Sequence, residues 1–150
     1  MKTFKKVREA LDSIDNINYG GCGISALSMY RWLKDNNKLS GDESFTFLYA
    51  GWDYTFTENE AILNTNSNNC GNKLKAASHI MLFHKGKLYD SEGKTVQSKY
   101  INKHEKISVE TLLETINYSH WNSSFDREES IPLIEEQLGI DLSDIELTVV

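Results

Sequence analysis

The sequence predicts an α+β fold, and three observations carry that expectation. Amphipathic helical stretches stand near both ends of the chain, a mostly apolar helix follows the run Gly20-Gly21-Cys22-Gly23, and two β-rich runs flank the dipeptide Lys85-Gly86. A length of 150 residues, 39% of them hydrophobic and 25% charged, suits one compact domain over residues 1–150.

From Thr3 to Ile14, Phe4, Val7, Leu11 and Ile14 recur at steps of three and four among Lys and Glu, which predicts a surface helix ended by Asp15 to Tyr19. The helix opening at Gly20–Gly23 carries Ile24, Ala26, Leu27, Met29, Tyr30, Trp32 and Leu33. Its only polar stripe is Ser25, Ser28 and Arg31, so it is expected to be buried on most sides. Asn36-Asn37 through Gly41-Asp42 reads as a turn, and Ser44 to Ala50 as a strand that Trp52 to Thr57 extends or pairs with. Asn59 to Leu63 suits a short helix, whereas Asn64 to Lys75, with five Asn and no apolar period, reads as a loop. Ser78 to His84 and Lys87 to Ser91 predict a β-hairpin, because Gly86 suits a tight two-residue turn. Helices follow at Ser108 to Ile116 and Asp126 to Leu138, N-capped by Ser108 and Asp126, with Pro132 delaying or bending the second. Ile145 to Val150 closes the chain as an expected strand.

Composition narrows the function classes. Sixteen Lys and Arg against 22 Asp and Glu give a net charge of −6, which argues against a nucleic-acid groove. No apolar run approaches the roughly 20 residues of a membrane span, and the N-terminus lacks a signal-peptide pattern, so a soluble cytoplasmic protein is expected. Lys outnumbers Arg by 13 to 3 and there are 13 Asn, a bias that AT-rich coding in a bacterium or a phage produces. For a phage protein, the cytoplasm is that of the host. Two cysteines, Cys22 and Cys70, are too few for a disulfide scaffold and read as reduced thiols.

Cys22 has a physical reason to react. At the start of a helix, free backbone N–H groups and the positive end of the dipole favour thiolate over thiol, and flanking glycines let a substrate approach the backbone. A thiolate nucleophile needs a partner that takes and returns a proton near neutral pH, and four histidines are available: His79, His84, His104 and His120. If Lys85-Gly86 is the hairpin turn, His84 faces Lys87 and His79 faces Glu92. His79, Met81, Phe83, Leu88, Asp90 and Glu92 then share one face, with His84 on the other near the tip. Glu92 would stand roughly 5 Å across from His79 and Asp90 about 7 Å away on the diagonal. Either acid could hold the imidazole, although Asp90 also suits the start of a turn. His104, among charges, and His120, beside Trp121, read as surface residues.

Gly20-Gly21-Cys22-Gly23 opening a helix, a histidine starting a later strand and an acid on the returning strand resemble the papain-like cysteine hydrolase and transferase superfamily. The resemblance covers about Asn16 to Glu92 as three short pieces. It implies a papain-like fold, with the buried helix carrying the nucleophile packed on a small antiparallel sheet. Cys22 would be the nucleophile, His79 the general base and acid, and Asp90 the orienting group. The superfamily places an amide side chain before the nucleophile to hold the oxyanion, for which Asn16 and Asn18 are the nearest residues. Trp52, with Asp53 and Tyr54, could wall a substrate cleft.

The expected reaction is attack of the Cys22 thiolate on an amide carbon of a protein or peptide substrate, through a thioester acyl-enzyme. Water as acceptor makes the chain a peptidase or isopeptidase, and an amine makes it an acyltransferase of transglutaminase type. The alternative from another class is an inactive domain of the same fold that binds and inhibits a partner protein. This chemistry needs no cofactor or metal. A zinc site from Cys22, Cys70, His79 and His84 is disfavoured because the two histidines are an odd number of residues apart on one strand.

Overall fold

The computed structural model describes residues 3–18, 20–49, 77–95, 104–118 and 125–147, with the backbone alone at 46–49, 77–79, 94–95, 104–107, 115 and 118. Thr3 starts the first helix, α1 (Phe4–Asp12), by accepting the Lys6 amide on its hydroxyl at 3.2 Å. Val7 and Leu11 of α1 enter the core without residual exposure. Phe4, Arg8 and Asp12, one turn apart, form a second stripe along the strand that ends at Asp90. The Phe4 ring meets Tyr89 edge-on at 4.9 Å, the Arg8 guanidinium sits 5.3 Å from the Tyr89 centroid, and Asp12 accepts the Ser91 hydroxyl at 3.2 Å.

The buried helix, α2 (Cys22–Asp35), runs as expected, and even its polar stripe is enclosed: Ser25 is 1% exposed and Ser28 not at all. Only Arg31 of that stripe escapes, to a two-pronged ion pair with Asp144 and the Asp141 carbonyl. Asn36 ends the helix by donating its side-chain amide to the Trp32 carbonyl at 2.9 Å. Helix α3 (Val109–Tyr118) starts under the Ser108 hydroxyl, and α4 (Arg127–Leu138) under the Asp126 carboxylate, which accepts the Glu129 amide at 3.2 Å. Pro132 lies within α4 and does not delay it. Gly139, at φ +67°, ends that helix in the left-handed conformation.

Among the described residues, five strands form one antiparallel sheet: β1 (Ser44–Tyr49), β2 (Ala77–His84), β3 (Lys87–Asp90), β4 (Gly93–Thr95) and β5 (His104–Ile107), in the order β4-β3-β2-β1-β5. Lys85 (φ +50°) and Gly86 (φ +79°) make the expected turn, and His84 pairs with Lys87. Ile80, Leu82 and Phe45 lie on the side covered by the helices, where Phe45 meets the Tyr30 ring of α2 at 5.5 Å. Met81, Phe83 and Leu88 form a separate cluster on the opposite side. The architecture is therefore mixed α+β, and among the described residues no helix is long and apolar enough to cross a membrane.

Strands β4 and β5, three and four residues long, carry no apolar alternation that marks them in the sequence. Two expectations are corrected. Ile145 to Leu147 are not a strand: Ile145 is 3% exposed and anchors a turn through its amide to the Leu142 carbonyl at 3.1 Å. The β2–β3 pairing stops at Leu82 opposite Tyr89, so Glu92 does not face His79. The expected extension at Trp52 to Thr57, the short helix at Asn59 to Leu63 and the loop to Lys75 lie outside the described residues.

Candidate functional site

Cys22 is the first residue of α2, a partly buried free thiol packed against the main core. Gly21 is the helix N-cap and supplies no side-chain hydrogen bond, so no cap side chain occupies the amides of the first turn. Its φ of −104° is open to any residue; what demands glycine is space. A Cβ at Gly21 would stand 2.7 Å from the Ile17 carbonyl oxygen and 2.7 Å from Phe125, and one at Gly23 would stand 3.1 Å from Ile116 and 3.3 Å from Ile80. The glycines around Cys22 thus let Ile17, Ile80, Ile116 and Phe125 close on the helix start.

The Gly23–Ile80 contact brings the start of α2 to the start of β2, next to His79. The backbone there carries a bulge: His79 pairs with Leu48 and Ala77 with Tyr49, leaving Ser78 as the extra residue. In the alternation of β2, position 79 belongs to the row of Met81 and Phe83, whereas α2 packs on the row of Ile80 and Leu82. Position 104 is paired with Leu48 on the other flank, in the same cross-strand row as 79.

Asp90 belongs with Leu88 on β3 and closes that strand. One of its carboxylate oxygens accepts the amides of Glu92 at 2.9 Å and Gly93 at 3.1 Å, the arrangement of an aspartate that starts a turn. Glu92 itself is exposed in that turn.

Asn18 is part of a three-member chain: its side-chain amide donates to the Ser91 hydroxyl at 2.9 Å, and Ser91, 4% exposed, donates to Asp12. Because the single Ser91 proton goes to a carboxylate, Asn18 must present its NH2 group to Ser91, which leaves its carbonyl oxygen buried without a donor. Asn16 is exposed at φ +59° in the α1–α2 turn, where it lines a hollow of about 250 Å³ with Ser13, Asp15, Asp126 and Glu129. Trp52, Cys70 and His120 lie outside the described residues.

Ser25, one turn into α2 from Cys22, is also an orphan. Its hydroxyl is buried with no hydrogen-bond partner, whereas Ser28 donates to the Ile24 carbonyl at 2.7 Å. Spacing alone could have marked Ser25; the Asn18–Ser91 bond, spanning 73 residues, had no such signal.

A second cluster joins Asp42, Glu43 and His84, whose candidate ligand atoms lie within 4.8 Å of one another. His84 is on the opposite row from 79 and near the hairpin tip, as expected, but it is buried, bonded through Nδ1 to Glu43 and flanked by the Phe4 ring. Glu43 also accepts the Ser40 amide and hydroxyl at 2.8 Å each and the Gly41 amide at 2.9 Å. Burial raises the Glu43 carboxyl, but the hydrogen bonds from Ser40, His84 and Gly41 outweigh it and hold the group at about 2. Its oxygens are thus committed to the loop and the histidine, which reads as a structural joint rather than a cation cage.

No protein-family model, curated protein or solved structure matches this chain.

Proposed function

We propose that this chain is a cysteine-dependent hydrolase of amide bonds in a papain-like arrangement, with Cys22 as nucleophile, His79 as proton carrier and Asp90 as the group that orients it. The observation that carries the reading is the Cys22 thiol itself, free and partly buried at the first residue of α2, where no cap side chain engages the first-turn amides. The thiol loses its proton to His79 and the sulfur adds to the carbonyl carbon of a peptide or isopeptide bond. The resulting oxyanion is met by first-turn amides of α2, which no cap side chain engages. Collapse of the adduct breaks the C–N bond, His79 returns the proton to the leaving amine, and a thioester to Cys22 remains. Water, activated by the same imidazole, releases the acid and regenerates the thiol.

A second reading is a non-catalytic domain that binds a partner protein, favoured by the row in which position 79 falls. Site-resolved labelling with iodoacetamide, followed by intact-mass profiling with an electrophilic peptide probe, separates the two. The hydrolase predicts that Cys22 labels far faster than Cys70 at neutral pH, that His79→Ala removes the advantage, and that the probe adds once, at Cys22. Equal and slow labelling of both thiols selects the binding domain.

A further inference from the structure

We propose that Ser25 is a positioning residue for the Cys22 thiolate, its hydroxyl donating a hydrogen bond to the sulfur once the thiol ionises. The inference rests on the reading of Cys22 as nucleophile and adds the group that holds its charge.

Cys22-Gly23-Ile24-Ser25 occupies the first turn of α2, and residues three apart on a helix are neighbours on one face. Helical side chains tilt toward the N-terminus, so the Ser25 side chain leans over the turn that starts at Cys22. The residue is 1% exposed and its hydroxyl has no protein partner. A serine inside a helix ordinarily donates to the carbonyl four residues back, as Ser28 does to Ile24. The equivalent carbonyl for Ser25 belongs to Gly21, which accepts the Ser25 amide at 2.8 Å but not the hydroxyl. The O–H is thus held off the backbone in the same helical turn as the Cys22 sulfur, which is a weak acceptor as a thiol and a strong one as a thiolate.

The groups closing on the glycines around Cys22 strengthen the assignment. Phe125, Ile80 and Ile116 bring apolar side chains, and Ile17 brings a carbonyl, so none of these four has a side-chain donor to offer. Ser25 supplies what they lack. On ionisation the proton goes to the base, Ser25 turns about its Cα–Cβ bond, and its own proton stays on oxygen. No bond to Ser25 forms or breaks.

The test is site-resolved alkylation of the full chain by iodoacetamide, from about pH 6 to about pH 10, with Cys70 as internal reference. Wild type, Ser25→Ala, Ser25→Thr and His79→Ala are compared, with thermal melting of each. Ser25→Ala is expected to slow Cys22 labelling about tenfold near pH 6.5 and to leave it within about twofold at pH 10, above the range in which an ordinary cysteine titrates. Ser25→Thr, which keeps the hydroxyl, restores the wild-type profile. Because an unsatisfied buried hydroxyl is removed, Ser25→Ala melts no lower than wild type. If Ser25→Ala and wild type superimpose while Cys22 still outpaces Cys70, the role of Ser25 falls and the nucleophile stands. If the two cysteines of the wild type share one profile, both fall. A Ser25→Ala protein that loses reactivity equally at every pH and melts early marks a packing role and overturns the proposal.

Discussion

The carboxylate of Glu43 and Nδ1 of His84 form a hydrogen-bonded pair in which both side chains are almost wholly enclosed, 3% and 6% exposed. The pair ties the loop before β1 to the tip of the β2–β3 hairpin, 41 residues away. Glu43 is ionised in the fold down to about 2 against an ordinary 4.5, so its contribution is fully present above 4.5 and is lost as pH falls toward 2. Urea unfolding midpoints should therefore drop steeply across that interval in wild type and more gently in Glu43→Gln. At neutral pH the same substitution should cost about 1–3 kcal/mol, since the amide NH2 of Gln must face donors that a carboxylate oxygen accepted.

The two glycines beside Cys22 should respond differently to a methyl group. Gly21→Ala drives a Cβ into the Ile17 carbonyl oxygen, a backbone atom that cannot step aside, and should cost about 2 kcal/mol or more in denaturant titrations. Gly23→Ala meets side-chain atoms alone, Cγ1 of Ile116 at 3.1 Å and Cδ1 of Ile80 at 3.3 Å, and gains helix propensity of about 1 kcal/mol, so its unfolding midpoint should stay close to wild type.

Arg127 is 6% exposed and donates to the carbonyls of Ile116 and Glu146 at 2.7 and 2.9 Å, fastening the end of α3 and the C-terminal segment to the start of α4. Burial lowers its guanidinium to about 10 against the pull of Glu146. Arg127→Met should fill the volume yet leave both carbonyls without their donor, costing about 2–4 kcal/mol. Hydrogen exchange should then quicken first in the last turn of α3.

Ser91 relays between Asp12 and Asn18, so Ser91→Ala removes an acceptor from one and a donor from the other. A loss of about 1–2 kcal/mol by urea titration is expected. Asn18→Ala should cost no more than that, because the buried carbonyl oxygen it removes has no donor to lose.

Local signals reached some of these features. The period of Phe4, Val7 and Leu11, the caps at Ser108 and Asp126, and the Lys85-Gly86 turn are each written within a few residues, and each element formed there. Strand alternation likewise separated Met81, Phe83 and Leu88 from Ile80 and Leu82. It could not say where β3 stops: the Asp90 carboxylate ends the strand by taking two amides, so the pairing that would have set Glu92 against His79 is never made. Nor could it say which side of the sheet α2 would choose, because a helix apolar on nearly every face carries no such instruction. Glu43 with His84 and Asn18 with Ser91 are long-range polar meetings that no spacing rule encodes.

The position of β1 between β2 and β5 has a kinetic consequence. Strands β2, β3 and β4 follow one another by short turns and can zip in sequence, but β1 reaches β2 only after the chain closes on itself across residues 50–76. Capture of that strand should set the refolding rate, so shortening the intervening segment would hasten refolding while leaving the unfolding limb of the chevron nearly where it was.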